Sequence, residues 1–316
     1  MDLVEEKQEK KADVEILTAI RNLIQSDGLT QKEISKKIGV SQTVISLYLK
    51  DEYNGDIQKL EGDLLKFISE IKSQRKYKRV KLEFEKTSVA AKIFNIAQIC
   101  QHNGEMALIT GSSGVGKTTS IYQYAKEHTG VIVIDPDEKI SVRTLLIYIG
   151  KALKLSIIQN EPSADFANKI VDKLKHSGKL IIVDEAENLD ISCFKILRKI
   201  HDRCDFTIGL LFCGTEVLAN KISSLHGENN YIFTRFAYID SLERLTQADT
   251  KALVLQVFPN CDENLIQMFY KISKANARIL FNLLKRTADM VASSDDELNP
   301  KMIKAAGYYV GAAKHD

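Results

Sequence analysis

The chain has 316 residues, 44% hydrophobic and 27% charged, enough for one medium and one small core and therefore about two domains. No run approaches the roughly 20 apolar residues of a membrane span, and the opening MDLVEEKQEKK is charged where an export signal needs an apolar stretch. A soluble, cytoplasmic protein is expected. Cys100, Cys193, Cys204, Cys213 and Cys261 form no C-x-x-C pair and sit in apolar contexts, which points to buried thiols, not to disulfides or a metal centre.

In chain order, Val14, Leu17, Ile20, Leu23 and Ile24 recur at helical spacing and Gly28 ends the pattern. Thr30 then caps a short helix through Ile34 and Ile38, Gly39 makes a turn, and Ser41 caps another helix carrying Val44, Ile45 and Leu47. This is a helix-turn-helix pattern: Ile34, Ile38, Val40 and Ile45 pack inward, and Gln42, Thr43, Ser46 and Lys50 face a DNA groove. The same motif also serves as a protein-docking module. No Arg or Asn opens the second helix, so the expected sequence preference is weak or led by DNA shape.

The net charge of +2 conceals a cluster at KSQRKYKRVK, where Lys72, Arg75, Lys76, Lys78, Arg79 and Lys81 surround Tyr77 without an acid. Such a run is either a strip for duplex phosphates or a solvated linker, and it marks a boundary. The expected organisation is a helix-turn-helix domain at 1–71, a basic linker at 72–87, an α/β core at 88–243 and a helical lid at 244–316.

After the boundary, apolar runs alternate with helical stretches, the pattern of a parallel sheet wrapped in helices. MALIT (106–110) runs as a strand into Gly111-Ser112-Ser113-Gly114-Val115-Gly116-Lys117-Thr118, followed by Thr119 and a helix over about 117–127. In such a loop the backbone N–H groups and the helix N-terminus cradle the phosphates of a nucleotide such as ATP. Lys117 is expected at the β and γ phosphates, and Thr118 on Mg²⁺.

LIIVDE (180–185) is a buried strand ending in Asp184, suited to the metal, and Glu185, suited to orient or deprotonate water. TIGLLFCGT (207–215) ends in Thr215, which either addresses the γ phosphate or water, or only caps the next helix. Arg235 lies beyond the sheet as a candidate finger for a neighbouring subunit, a surface ion pair being the alternative, and helices are expected near 246–257, 262–272, 276–292 and 299–312. Arg278, on the third of these, is a candidate to reach the phosphates.

Taken in order, Gly111 to Thr118, Asp184-Glu185, Thr215, Arg235 and Arg278 resemble the Walker A, Walker B, sensor 1, arginine finger and sensor 2 positions of AAA+ ATPases, over roughly 88–312. With the N-terminal reader, Tyr53-Asn54-Gly55-Asp56, Phe233-Thr234-Arg235 and Ala277-Arg278-Ile279-Leu280, the chain resembles the family of Mu-type transposition B ATPases. Target selectors of Tn7-like elements and helper ATPases of IS21-like elements share the ATPase core. The resemblance implies ATP and Mg²⁺ as cofactors and a homo-oligomeric helical filament on duplex DNA without sequence preference. It also implies delivery of that DNA to a DDE transposase, which stimulates hydrolysis and disassembly.

Two positions depart from the pattern: sensor 1, often Asn, is Thr215, and Asn276-Ala277 stands where a glycine is frequent. Lys139 and Arg143 occupy the segment where related filament ATPases touch DNA, although ordinary helix-surface charges fit as well. Two other readings stay open: a transcription regulator with a nucleotide-sensing P-loop, and an ATPase that loads a helicase.

Overall fold

The computed structural model describes residues 13–27, 29–76, 82–223, 234–294 and 297–311, with backbone only at 25–27 and 71–76. The chain divides into two compact units, Met1–Arg79 and Val80–Asp316.

The first unit holds α1 (Val14–Asp27), α2 (Gln31–Ile38), α3 (Gln42–Leu49) and α4 (Ile57–Lys76). Thr30 caps α2 in a reciprocal box with Glu33, Gly39 leaves the helix at φ 76°, and the Ser41 hydroxyl accepts from Val44 N–H. Those local signals make the helix–turn–helix, and burial closes it. Ile20, Ile34, Ile45, Tyr48 and Leu64 pack in one core, with Ile38 and Val40 half-buried at its margin. Tyr48 reaches this core because its hydroxyl donates to Glu61 at 3.0 Å on α4. Of the residues at helical spacing in α1, Val14, at its first position, is exposed, and Ile16 is buried beside Leu17, Ile20 and Leu23.

α4 runs on to Lys76, so the first part of the basic cluster is helical and not linker. The side chains of Lys72, Arg75 and Lys76, and all of Lys78, Arg79 and Lys81, lie outside the described residues.

The second unit is built on five parallel strands in the order β2-β3-β4-β1-β5. These are β1 (Met106–Gly111), β2 (Val131–Ile134), β3 (Leu180–Val183), β4 (Gly209–Gly214) and β5 (Phe236–Leu242). β1, β3 and β4 are buried at every residue, as strands covered on both faces must be. The covering helices are α5 (Ser88–Asn103), α6 (Lys117–Glu127), α7 (Val142–Ala152), α8 (Ser163–Leu174), α9 (Ile191–Arg203) and α10 (Glu216–Ser223). One face packs Leu145, Phe166, Ile170 and Phe194 against the sheet, and the other packs Ile93, Phe94, Ile121 and Tyr124.

Residues 82–87 are docked on this unit: Phe84 stacks on Phe94 at 5.9 Å, and Glu83 N–H donates to Gln256. The lid is α11 (Gln247–Val257), α12 (Glu263–Ser273), α13 (Ala277–Ser293) and α14 (Pro300–Tyr309), around Val254, Phe269, Leu280 and Ile303. Among the described residues no helix is long and apolar enough to cross a membrane.

Candidate functional site

In a parallel α/β sheet the crevice lies beyond the C-terminal ends of the strands. β1 and α6 meet there at the glycine loop, where Gly114 (φ 78°) and Gly116 (φ 109°) adopt the left-handed backbone that β-carbons disfavour. Val115 faces inward and anchors the loop in the core, leaving the flanking amides at the rim. A cavity of about 550 Å³ opens above it, lined by Ser113 to Thr119, Asp184, Glu185, Thr215 and Arg278. Its apolar side is made by Leu82, Phe84, Leu245 and Leu253. Phosphate-seeking groups at one end and a greasy slot at the other suit a nucleotide. Gly111 and Ser112 meet it through Lys117, whose ammonium donates to both carbonyls at 2.7 and 3.2 Å.

Burial lowers the Lys117 pKa from its ordinary value, against the raising pull of Asp184 and Glu187. Thr118 Oγ1 donates to Asp184 Oδ2 at 2.6 Å, and Asp184 is fully buried at the end of β3, where desolvation raises its pKa. Glu185 projects exposed into the cavity from a left-handed backbone (φ 46°, ψ 41°), a conformation that costs about 1 kcal/mol in a residue with a β-carbon. Burial first, and then the charges of Asp135 and Asp184, raise its pKa too.

Thr215 does two jobs. Its hydroxyl accepts from Val217 N–H at the start of α10, and donates to Glu187 Oε1 at 2.7 Å; its N–H donates to the same oxygen at 3.1 Å. Glu187 is a cavity residue that the sequence reading missed, and only its place two positions after the acidic pair could have flagged it. Lid and loop are joined as well: Asn276 Nδ2 donates to Ser113 O at 2.7 Å and Arg278 N–H to Gly114 O at 3.0 Å. A β-carbon at Gly114 would lie 2.6 Å from Asn276 Oδ1, so glycine is required there.

Arg235 is not with these residues. Phe236, beside it, pairs with Met106 at the start of β1, whereas Leu242 pairs with Gly111 at the end. Five strand steps of roughly 3.3 Å, about 17 Å in all, separate those two levels. Arg235 lies near Asp202 (3.8 Å) and over the Phe206 ring (5.8 Å).

Gln42, Thr43 and Lys50 are exposed on the α3 segment and Ser46 is half-buried. Lys139 is exposed beyond β2. Arg143, offered by the sequence as a DNA contact or a helix-surface charge, donates to the carbonyls of Glu161 (2.7 Å) and Ile158 (3.2 Å) and lies over Phe166, pinning the loop before α8. Cys100, Cys193, Cys204 and Cys213 are buried free thiols, and Cys261 is half-buried.

Residues 100–222 match the AAA domain family and residues 20–61 a helix-turn-helix family. A Mu-like prophage FluMu DNA transposition protein B from Haemophilus influenzae is 26% identical over 264 residues, covering 82% of this chain and 91% of the relative. The ATP-dependent target DNA activator B of Escherichia phage Mu is 23% identical over 290 residues, covering 90% of each chain. Among solved structures, the Cdc6p protein of Pyrobaculum aerophilum aligns at TM-score 0.57 with 15% identity, over 75% of this chain and 71% of that one. The ORC2 protein of Aeropyrum pernix aligns at 0.56 with 18% identity, over 77% and 73%. The likeness to these two neighbours is one of fold. The chain thus joins a helix-turn-helix to an AAA domain and is a homologue, along most of its length, of the transposition B proteins of Mu-like phages.

Proposed function

We propose that this chain is an ATP-hydrolysing, DNA-binding protein of transposition that polymerises on duplex DNA and presents it as target to a DDE transposase. The observation that carries this reading is the split between the nucleotide cavity, at the C-terminal ends of the strands, and Arg235, at the opposite end of β5. A cation there is out of reach of its own site, which supports a role in the site of a neighbouring copy, with ATP at the shared interface.

The AAA family implies a nucleotide with a divalent cation, and the residues fit both. Thr118 and Asp184 offer hard oxygens side by side, and would hold Mg²⁺ through the Thr118 hydroxyl and, by way of water, the Asp184 carboxylate. A cation held there would supply neutralisation of the phosphate charge. Lys117 exchanges its two carbonyl acceptors for phosphate oxygens. Glu185 takes the proton of the water that attacks the γ phosphorus, giving ADP and phosphate. Arg278 reaches the same oxygens from the lid.

Each protomer adds a reader face (Gln42, Thr43, Ser46, Lys50) and core cations such as Lys139. Chaining protomers multiplies weak phosphate contacts along the duplex, so ATP controls avidity and hydrolysis releases it. The protein acts in the cytoplasm, where target DNA lies. The test is electron microscopy with a non-hydrolysable ATP analogue and random duplex. Filaments that need both ligands are expected; a lone particle at low ionic strength and high concentration sinks the reading.

A further inference from the structure

Thr215 and Glu187 define a further role, which rests on the ATPase reading above. The Thr215 hydroxyl proton is committed to Glu187 Oε1 at 2.7 Å, and one lone pair of Thr215 Oγ1 takes Val217 N–H at 3.3 Å. A threonine hydroxyl has one proton and two lone pairs, so what remains free is a single acceptor site. A γ-phosphate oxygen is itself only an acceptor and finds no donor there. A water molecule, which can donate, does.

Glu187 is fixed in this duty. Thr215 N–H supplies a second hydrogen bond to the same oxygen, at 3.1 Å. The other oxygen, Oε2, is buried without a hydrogen-bond partner, and a β-carbon at Gly214 would come within 2.2 Å of it. The glycine before Thr215 is therefore the space into which the carboxylate fits. Both residues line the cavity beside Lys117 and Glu185.

We propose that Glu187 is a positioning residue for hydrolysis. By holding the Thr215 proton, it leaves that side chain able to address the attacking water and unable to donate to the γ phosphate. Glu185 remains the group that removes the proton, and Thr215 holds the second hydrogen of the same water.

The acceptor, not the charge, is what this arrangement uses, and that sets the variants. Glu187→Met keeps length and loses the acceptor, whereas Glu187→Gln keeps an oxygen for Thr215. Thr215→Val removes the hydroxyl, and Thr215→Ser restores it. With purified full-length protein, ATP turnover and the Kd of a fluorescent ATP analogue are measured for each, with melting temperature as a check on folding.

Glu187→Met and Thr215→Val are each expected to lower kcat about 10- to 100-fold, with Kd changed less than threefold. The double variant should be no slower than the worse single, because both remove one device. Glu187→Gln and Thr215→Ser should stay within about fivefold of the parent. Parental turnover in Glu187→Met, losses that multiply in the double variant, or a Glu187→Gln as slow as Glu187→Met would overturn the assignment. Should Glu187→Met fail to fold, the Thr215→Val and Thr215→Ser pair decides: equal kcat in the two refutes it. If the parent protein itself neither binds nor hydrolyses ATP, it is the ATPase reading that fails.

Discussion

Asn276 on the lid donates its side-chain amide to the carbonyl of Ser113 at 2.7 Å, while its Oδ1 caps α13 by accepting Ile279 N–H at 3.1 Å. One residue therefore starts the helix that carries Arg278 and holds that helix to the phosphate loop. Asn276→Asp keeps the cap and loses the donation; Asn276→Ala loses both. The alanine variant should lose about 1 kcal/mol of stability through the cap. Both should weaken nucleotide affinity several-fold. Thermal melts and analogue titration check this, and an aspartate variant with parental affinity would dissociate lid docking from nucleotide binding.

The acid limb of the ATPase pH profile should report Glu185. Burial and the neighbouring Asp135 raise its pKa, and a general base works only when deprotonated, so turnover should fall as pH drops through a value above the usual glutamate range. Asp135→Asn removes a negative charge that resists ionisation and should move the limb to lower pH. Glu185→Gln should reduce turnover by at least about 100-fold while leaving ATP-dependent DNA binding intact. A limb that stays in place in Asp135→Asn would assign it to another group.

Mixing two inactive variants tests whether Arg235 works between copies. Lys117→Ala lacks a functional phosphate loop and Arg235→Ala a finger. If fingers act in trans, the Arg235→Ala copy keeps an intact cavity that the other copy's Arg235 completes. A partial return of turnover on mixing is expected, measurable by phosphate release. No recovery across mixing ratios, with both variants folded, would place the finger elsewhere.

Lys50 is exposed at the end of α3, where a duplex backbone would pass. Lys50→Ala should reduce the slope of log K against log salt by roughly one per protomer and weaken binding to all sequences alike. Fluorescence anisotropy on several random duplexes measures both quantities. A sequence-selective loss would instead make Lys50 a base reader.

Much of this architecture could be read before the fold because it depends on local chemistry. Thr30, Gly39 and Ser41 cap and turn the reader through bonds spanning three or four residues, and Gly111 to Thr118 has one sterically sensible conformation ahead of a helix. Asn276 looked like a departure from the pattern because its partner, Ser113, is 163 residues away. Glu187 escaped notice for the same reason: its bond to Thr215 spans 28 residues, and an acid in a loop carries no local signal of burial. The hold of Arg143 on the loop before α8 was not legible, because an arginine on an amphipathic helix is ambiguous until the loop it grips is seen. Long-range hydrogen bonds made by single polar side chains have no periodicity to betray them.

The short segment from Leu82 to Thr87 has a practical consequence for dissecting the protein. Leu82 and Phe84 form part of the chamber wall, Glu83 and Glu85 are tied to Gln256, and Thr87 caps α5. An excised ATPase fragment starting at residue 88, where the sequence alone would place the cut, would arrive with a breached chamber and an uncapped helix. A fragment starting at Val80 keeps both, so the choice of eight residues decides whether the isolated enzyme is a fair proxy for the whole.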